Sequence, residues 1–195
     1  LICNDNPYSF ILNDKPLSIL AQKGAMECCL ELNSLSKAHN MAGWRVGMVA
    51  ADAEVIAQIL KVKSQMDSGM FKPLQLAAVQ ALSQGPEWFS ELNAEYRRRR
   101  VLAGEIFDIL GAEYDHDSTG MFLWGKVRSS ERQSSSGAAL SDKLLHEAGV
   151  FITPGFIFGK NGEDYIRISL CSKPEVLKRA AEKIKAVILN EVKDL

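Results

Sequence analysis

The sequence predicts an α/β protein of two units joined by a long helix, and three observations predict it. Short apolar runs alternate with amphipathic helical patterns up to residue 83, which reads as strands interleaved with helices. One uninterrupted helical pattern then covers residues 87–110, a natural boundary between domains. Beyond it strand-like runs return, and the chain closes on an amphipathic helix. At 195 residues the chain can bury a proper core, and length alone permits one or two domains. The division expected is residues 1–85, a connecting helix at 86–110, and residues 111–195.

Residues 1–4 form a short apolar run in which Cys3 opens what reads as a buried strand. It ends at the polar turn Asp5-Asn6-Pro7-Tyr8. In an open α/β sheet functional side chains gather at the carboxyl ends of strands, where Asp5 falls. Residues 28–32 are a second strand, delivering the chain to a loop at 34–37, and residues 46–50 a third. Asp52 is the expected N-cap of a helix carrying Val55, Ile56, Ile59, Leu60 and Val62. Residues 67–73 form a loop, Pro73 suits a helix start, and the helix at 75–83 is broken by Gly85-Pro86. In the long helix Trp88, Leu92 and Tyr96 share a face, Ile106 and Leu110 lie near its end, and Gly111 stops it.

In the second unit residues 112–114 and 121–127 are strands, and residues 129–137 form a Ser-rich loop. That loop suits a connector as well as a lid. Ser141 is expected to cap a helix through Ala148, with Gly149 at its stop. Residues 150–153 and 165–170 are strands flanking a Pro154-Gly155 turn. Pro174 opens the terminal helix, whose apolar face carries Val176, Leu177, Ala180, Ile184, Val187 and Ile188. No internal repeat is visible.

Composition excludes several functions. Lysine plus arginine nearly balance aspartate plus glutamate, for a net charge of −1, so neither nucleic acid nor an acidic membrane surface is indicated as a partner. The one basic cluster, Arg97-Arg98-Arg99-Arg100, lies inside the long helical pattern and reads as a solvated face. Cys3, Cys28, Cys29 and Cys171 lack paired spacing, which points to reduced thiols and a cytoplasmic location. His39, His116 and His146 are scattered, so no metal site is expected, and no apolar run is long enough to span a bilayer. The chain starts without methionine or a signal pattern, on a strand already under way. A piece of a longer protein is the expectation.

The chemistry concentrates at Ser34-Leu35-Ser36-Lys37, followed by Asn40-Met41-Ala42-Gly43-Trp44-Arg45-Val46-Gly47. One lysine stands beside two hydroxyls, with an arginine eight residues on. An amine that condenses with a carbonyl needs its partner held in place, and hydroxyls with a guanidinium suit a phosphate. Together they describe a site for a phosphorylated aldehyde cofactor, pyridoxal phosphate. The planar fork of arginine fits phosphate better than lysine does. Gly43 and Gly47 read as backbone requirements of the turn.

This stretch closely resembles the lysine motif of class I/II aminotransferases, the fold-type I pyridoxal-phosphate enzymes, in the branch containing aspartate, alanine and LL-diaminopimelate aminotransferases. The resemblance covers nearly the whole chain. It implies the carboxyl-terminal part of the family's large domain, with its mostly parallel sheet, plus the small α/β domain. It implies that Lys37 is the Schiff-base lysine and proton shuttle. Asp5 and Tyr8 match the family's Asp-x-x-Tyr, so Asp5 would pair with the ring nitrogen and Tyr8 with the ring oxygen. Ser34, Ser36 and Arg45 would hold the phosphate. Tyr165-Ile166-Arg167-Ile168-Ser169 matches the strand whose arginine binds the substrate α-carboxylate, and Arg167 would alternate to the face opposite Ile166 and Ile168. Gly69-Met70-Phe71-x-Pro73-x-Gln75 and Gly120-Met121-Phe122-Leu123-Trp124 match more softly, and neither Phe71 nor Trp124 is placed in the site.

The activity implied is exchange of an amino group between an amino acid and a 2-oxo acid, in a full-length protein expected to be a homodimer. A free lysine has a pKa of about 10.4, so the site must depress it. The family runs to roughly twice this length, and the residues lacking here lie before Leu1. They normally supply the aromatic stacked on the cofactor, an asparagine at the ring oxygen and a Gly/Ser-rich phosphate loop. Three alternatives stay open: a related pyridoxal-phosphate lyase or synthase, the aminotransferase-like sensor domain of a transcription regulator, and a non-catalytic remnant.

Overall fold

The computed structural model describes residues 1–128 and 136–193, with side chains up to residue 190. The Ser-rich stretch lies outside the described residues except for Ser136 and Gly137. The chain divides into two compact units, Leu1–Asn93 and Ala94–Leu195, the division falling within one helix. No described helix is long and apolar enough to cross a membrane, and among the described residues no group of His, Cys, Asp or Glu is arranged to hold a metal ion.

The first unit is built on β1 (Ile2–Asp5), β2 (Cys29–Ser34) and β3 (Gly47–Ala51), in that spatial order. Of the mostly parallel sheet expected, this chain carries one parallel pairing, β1 with β2, and one antiparallel pairing, β2 with β3. The central strand β2 buries Cys29, Leu30 and Glu31. Cys3 corrects the reading of a buried strand: among the described residues β1 pairs only with β2, and it is exposed at that residue. A short helix α1 (Leu35–Ala38) follows β2 without a linker. Next come α2 (Ala53–Met66), α3 (Lys72–Leu82) and the first part of α4 (Pro86–Leu110). Asp52 caps α2 as expected, accepting a hydrogen bond from the Glu54 N–H at 2.8 Å.

A small apolar cluster of Leu35, Met41, Val46 and Ala78, with Leu74, Ala77 and Ala81 against it, seats the α1 turn on α3. The start of α4 fastens the same region. Trp88 Nε1 donates to the Ala38 carbonyl at 2.8 Å, next to Lys37. Buried Asn93 accepts from the Leu12 N–H at 2.8 Å and donates to the Phe10 carbonyl at 3.0 Å. That clamp holds Leu12 at a φ of 50°, left-handed backbone that a leucine adopts only when its surroundings enforce it.

The second unit contains β4 (Glu113–Tyr114), β5 (Phe122–Lys126), β6 (Thr153–Pro154) and β7 (Tyr165–Ser169). They pair in the order β4-β5-β7-β6, antiparallel throughout. The strand expected at 150–153 shrinks to Thr153–Pro154, because only these residues pair with β7. Phe107 and Ile106 of α4, Leu123 of β5 and Ile166 of β7 are at most 2% exposed. Ile184 of the terminal helix α6 (Pro174–Lys193) is fully buried. Each such side chain stabilises the unit by about 1.5–3 kcal/mol.

Two expectations are corrected here. The helix α5 (Gly137–Lys143) is capped by Ser136, whose hydroxyl accepts from the Ala139 N–H at 3.2 Å, and it continues through a wider turn to Ala148. Ser141 is therefore interior to the helix. It is 2% exposed and donates to the Ile152 carbonyl, tying the helix to the strand segment. Ser141→Ala leaves that buried carbonyl unpaired and is expected to cost about 1–3 kcal/mol, read as a lower urea midpoint at unchanged m-value. The arginine run is also less solvated than its sequence suggests. Arg97 and Arg98 are exposed, but Arg99 pairs with Glu95 at 2.8 Å and reaches the Leu170 carbonyl, and Arg100 donates to the Ser118 carbonyl.

Candidate functional site

Ser34 ends β2 opposite Gly47 of β3 and turns the chain straight into α1. Its hydroxyl oxygen accepts from the Ser36 N–H at 3.1 Å, lies 2.8 Å from Ser36 Oγ, and sits 3.2 Å from the Val46 carbonyl. Val46 O also accepts the Leu35 N–H at 3.1 Å, so the two arms of the motif are closed on each other. Gly47 fits closely here: a Cβ would stand 3.0 Å from the Asn33 carbonyl oxygen, so a side chain would have to push the paired strand back by a few tenths of an ångström. Gly43 is under no such constraint, which corrects that expectation. Its φ is not left-handed and no atom crowds it. The left-handed conformation falls instead on Asn40 (φ 53°) and Arg45 (φ 56°), where the turn reverses. Arg45 is exposed and donates to the Ala42 carbonyl at 3.1 Å.

Lys37 is half-buried, with Nζ 5.7 Å from the centroid of the Tyr8 ring. That is within cation–π range. Asp5, at the end of β1, pairs in register with Leu32, two residues before Ser34, and its side chain is exposed. The first unit thus gathers Tyr8, Ser34, Ser36 and Lys37 around the β2–α1 junction, with Arg45 beside the shared acceptor Val46 and Asp5 on the neighbouring strand.

Asp5 is flanked by Asn4 and Asn6, and both amides donate to Glu31 of β2. Asn4 Nδ2 lies 3.2 Å from Glu31 Oε2, and Asn6 Nδ2 3.3 Å from Oε1. Oε2 also accepts from Ser18 Oγ at 2.8 Å and the Ile19 N–H at 2.9 Å. Burial alone would raise the Glu31 pKa; the four donors outweigh it and hold the carboxyl below its usual range. A depressed folded-state pKa stabilises the protein above the unfolded value, about 4.3, and that stability is lost as pH falls through the lower folded value. Glu31→Gln is therefore expected to flatten stability against pH over that acidic window, measured by urea midpoints from pH 6 down to 3. Sequence reading passed over Glu31. Its signal was a lone charge inside the apolar run Cys28-Cys29-Leu30-Glu31-Leu32.

In the second unit β7 alternates as its sequence pattern requires, with Ile166 and Ile168 buried toward the core and Arg167 on the other face. The Arg167 guanidinium carbon lies 4.3 Å from the Phe122 ring centroid and 4.2 Å from that of Phe158. Its Nε is buried and, among the described residues, without a hydrogen-bond partner. Two aromatic faces thus orient a guanidinium whose in-plane donors suit a carboxylate. Trp124, directly opposite Arg167 in register, stacks on Tyr165 at 5.2 Å. The flanking rings were not assigned to the site from sequence.

Residues 8–184 match the family description "Aminotransferase class I and II". The chain is 40% identical over 186 residues to the LL-diaminopimelate aminotransferase of Natranaerobius thermophilus, covering 94% of this chain and 47% of that protein. It is 39% identical to the enzyme of the same name from Aquifex aeolicus, covering 95% and 47%. Among solved structures, an aromatic aminotransferase from Pyrococcus horikoshii superposes with a TM-score of 0.87 at 32% identity, over 100% of this chain and 52% of that one. A probable N-succinyldiaminopimelate aminotransferase from Thermus thermophilus gives 0.84 at 29% identity, over 94% and 49%. The chain spans about half the length of the curated relatives it matches. With the family's features running almost end to end through both units, the chain belongs to the class I and II aminotransferases.

Proposed function

We propose that this chain supplies the lysine-bearing part of a pyridoxal-phosphate-dependent aminotransferase that moves an amino group between an amino acid and a 2-oxo acid. The observation that carries the reading is the β2–α1 junction: a half-buried lysine amine beside Tyr8, and two hydroxyls 2.8 Å apart on the turn that Arg45 closes. An amine for the aldehyde and a hydroxyl–guanidinium set for the phosphate fit the cofactor chemically. Bound pyridoxal phosphate supplies a ring that withdraws electrons from the substrate Cα–H bond.

The chain's own residues do the rest. Lys37 takes the proton from the substrate Cα and returns one as general base and acid. Asp5 holds a proton on the ring nitrogen by pairing with it, and the Tyr8 hydroxyl donates to the ring oxygen. Ser34, Ser36 and Arg45 bind the phosphate and fix the cofactor's position. Arg167 binds the substrate α-carboxylate through its fork. On this reading residues 1–85 are part of a large cofactor domain, 86–110 the linking helix and 111–195 the small domain. The full-length protein is a cytoplasmic homodimer that uses neither metal nor nucleic acid. The relatives named LL-diaminopimelate aminotransferase make LL-diaminopimelate the first amino donor to assay.

The test incubates the natural full-length polypeptide with pyridoxal phosphate, reduces it with borohydride and locates the label by mass, alongside an assay with LL-diaminopimelate and 2-oxoglutarate. Label confined to Lys37 with glutamate formed is expected. Release of ammonia or a thiol without glutamate would overturn the reading in favour of elimination.

A further inference from the structure

We propose that Glu31 is a positioning residue for Asp5: a carboxylate clamp that holds the two asparagines flanking Asp5 and so aims the Asp5 carboxylate. The inference rests on the reading of Asp5 as the partner of the cofactor's ring nitrogen. Successive side chains of a strand point to opposite sides. Asn4 and Asn6 turn one way, toward Glu31; Asp5, between them, must turn the other way and is exposed. One side chain, 9% exposed, therefore dictates the orientation of a residue it does not touch.

Three features make this more than a local hydrogen bond. Glu31 and Asn4 are register partners on the parallel strands β2 and β1, so the bond locks the two strands one pair before the ladder ends at Asp5 and Leu32. The clamp also gathers the segment at 18–19, through Ser18 Oγ and the Ile19 N–H. Asn6 is tied a second time, donating to the Leu17 carbonyl at 2.9 Å, so the segment after β1 is held from two directions. Finally, β2 runs from Glu31 to Ser34 and Lys37, so the aim of Asp5 and the placement of Lys37 are set by the same rigid strand. A neutral amide cannot replace this carboxylate, because all four of its partners are donors.

The test uses the natural full-length polypeptide and compares Glu31→Gln, Glu31→Asp, Ser18→Ala and Asp5→Asn. Three quantities are read: cofactor dissociation constant by fluorescence quenching, the pH dependence of the bound cofactor's absorbance, and the Tm of the cofactor-free protein. Glu31→Gln is expected to weaken cofactor binding about tenfold and to shift the absorbance titration in the same direction as Asp5→Asn. Glu31→Asp retains the charge but is one methylene too short for all four donors, and it is expected to follow Glu31→Gln. Ser18→Ala, which removes one donor and leaves the strands intact, gives a smaller change in the same direction; it carries the test should Glu31→Gln fail to fold. Binding and titration unchanged in Glu31→Gln while Asp5→Asn alters both would overturn the clamp and leave the Asp5 reading standing. Wild-type behaviour of Glu31→Asp would assign the effect to charge and overturn it as well. An Asp5→Asn protein that binds and titrates like wild type would overturn both.

Discussion

Lys37→Ala is expected to lower amino transfer by roughly 10⁴-fold, the upper end of what a positioned acid–base group contributes. No described neighbour replaces it. The hydroxyls of the same motif, Ser34 and Ser36, are engaged with each other and with the backbone of the turn, and Tyr8 presents its ring to the amine. The substitution also removes the borohydride label, whereas Lys37→Arg keeps a cation at the site but has no amine that condenses with an aldehyde. Stability should change little, because Leu35, not Lys37, packs into the apolar cluster that seats α1. Single-turnover kinetics with an amino donor, paired with thermal unfolding of the same variant, separate the two effects. A Lys37→Ala protein that still transfers amino groups at a tenth of the wild-type rate would remove Lys37 from its role.

Arg167→Ala is expected to lower kcat/KM by roughly 10²–10⁴-fold for the amino acid and the 2-oxo acid alike, since two charge-assisted hydrogen bonds contribute about 1.5–3 kcal/mol each. A carboxylate is bound in the ground state and the transition state, so most of the loss falls on KM. Arg167→Lys is expected to recover only part of it. A lysine ammonium is a point charge without the planar fork, and it loses the two-sided contact that Phe122 and Phe158 make with the guanidinium. An amine lacking the carboxylate gives the control: its affinity should be unchanged in Arg167→Ala. Equal losses for that amine and for the amino acid would show a collapsed site and no carboxylate recognition.

Much of the architecture could be read from local chemistry. Strands appeared where apolar runs met turn residues, helix ends where Asp52 and Gly111 marked them, and Arg167 on the outer face because Ile166 and Ile168 alternate with it. Such features depend on neighbours within a few residues, which the sequence displays in order. The Ser141 error has the same root. Ser136 and Ser141 are equally good caps by composition, and only the buried carbonyl of Ile152 distinguishes them.

The lysine motif could be read as a family resemblance because its residue types stand at short spacing: amine, hydroxyls and guanidinium within Ser34 to Arg45. The sequence alone sufficed for those residue types and for the family to which they belong. It was silent on the supports. Glu31 meets Ser18 across 13 positions and Asn4 across 27, and Asn93 meets Leu12 across 81. Nor did it reveal which strand pairing runs antiparallel, or that Phe122 and Phe158 close on Arg167. These contacts join residues distant along the chain, and hydrogen-bond direction and ring packing come into being only when the backbone brings them within a few ångströms.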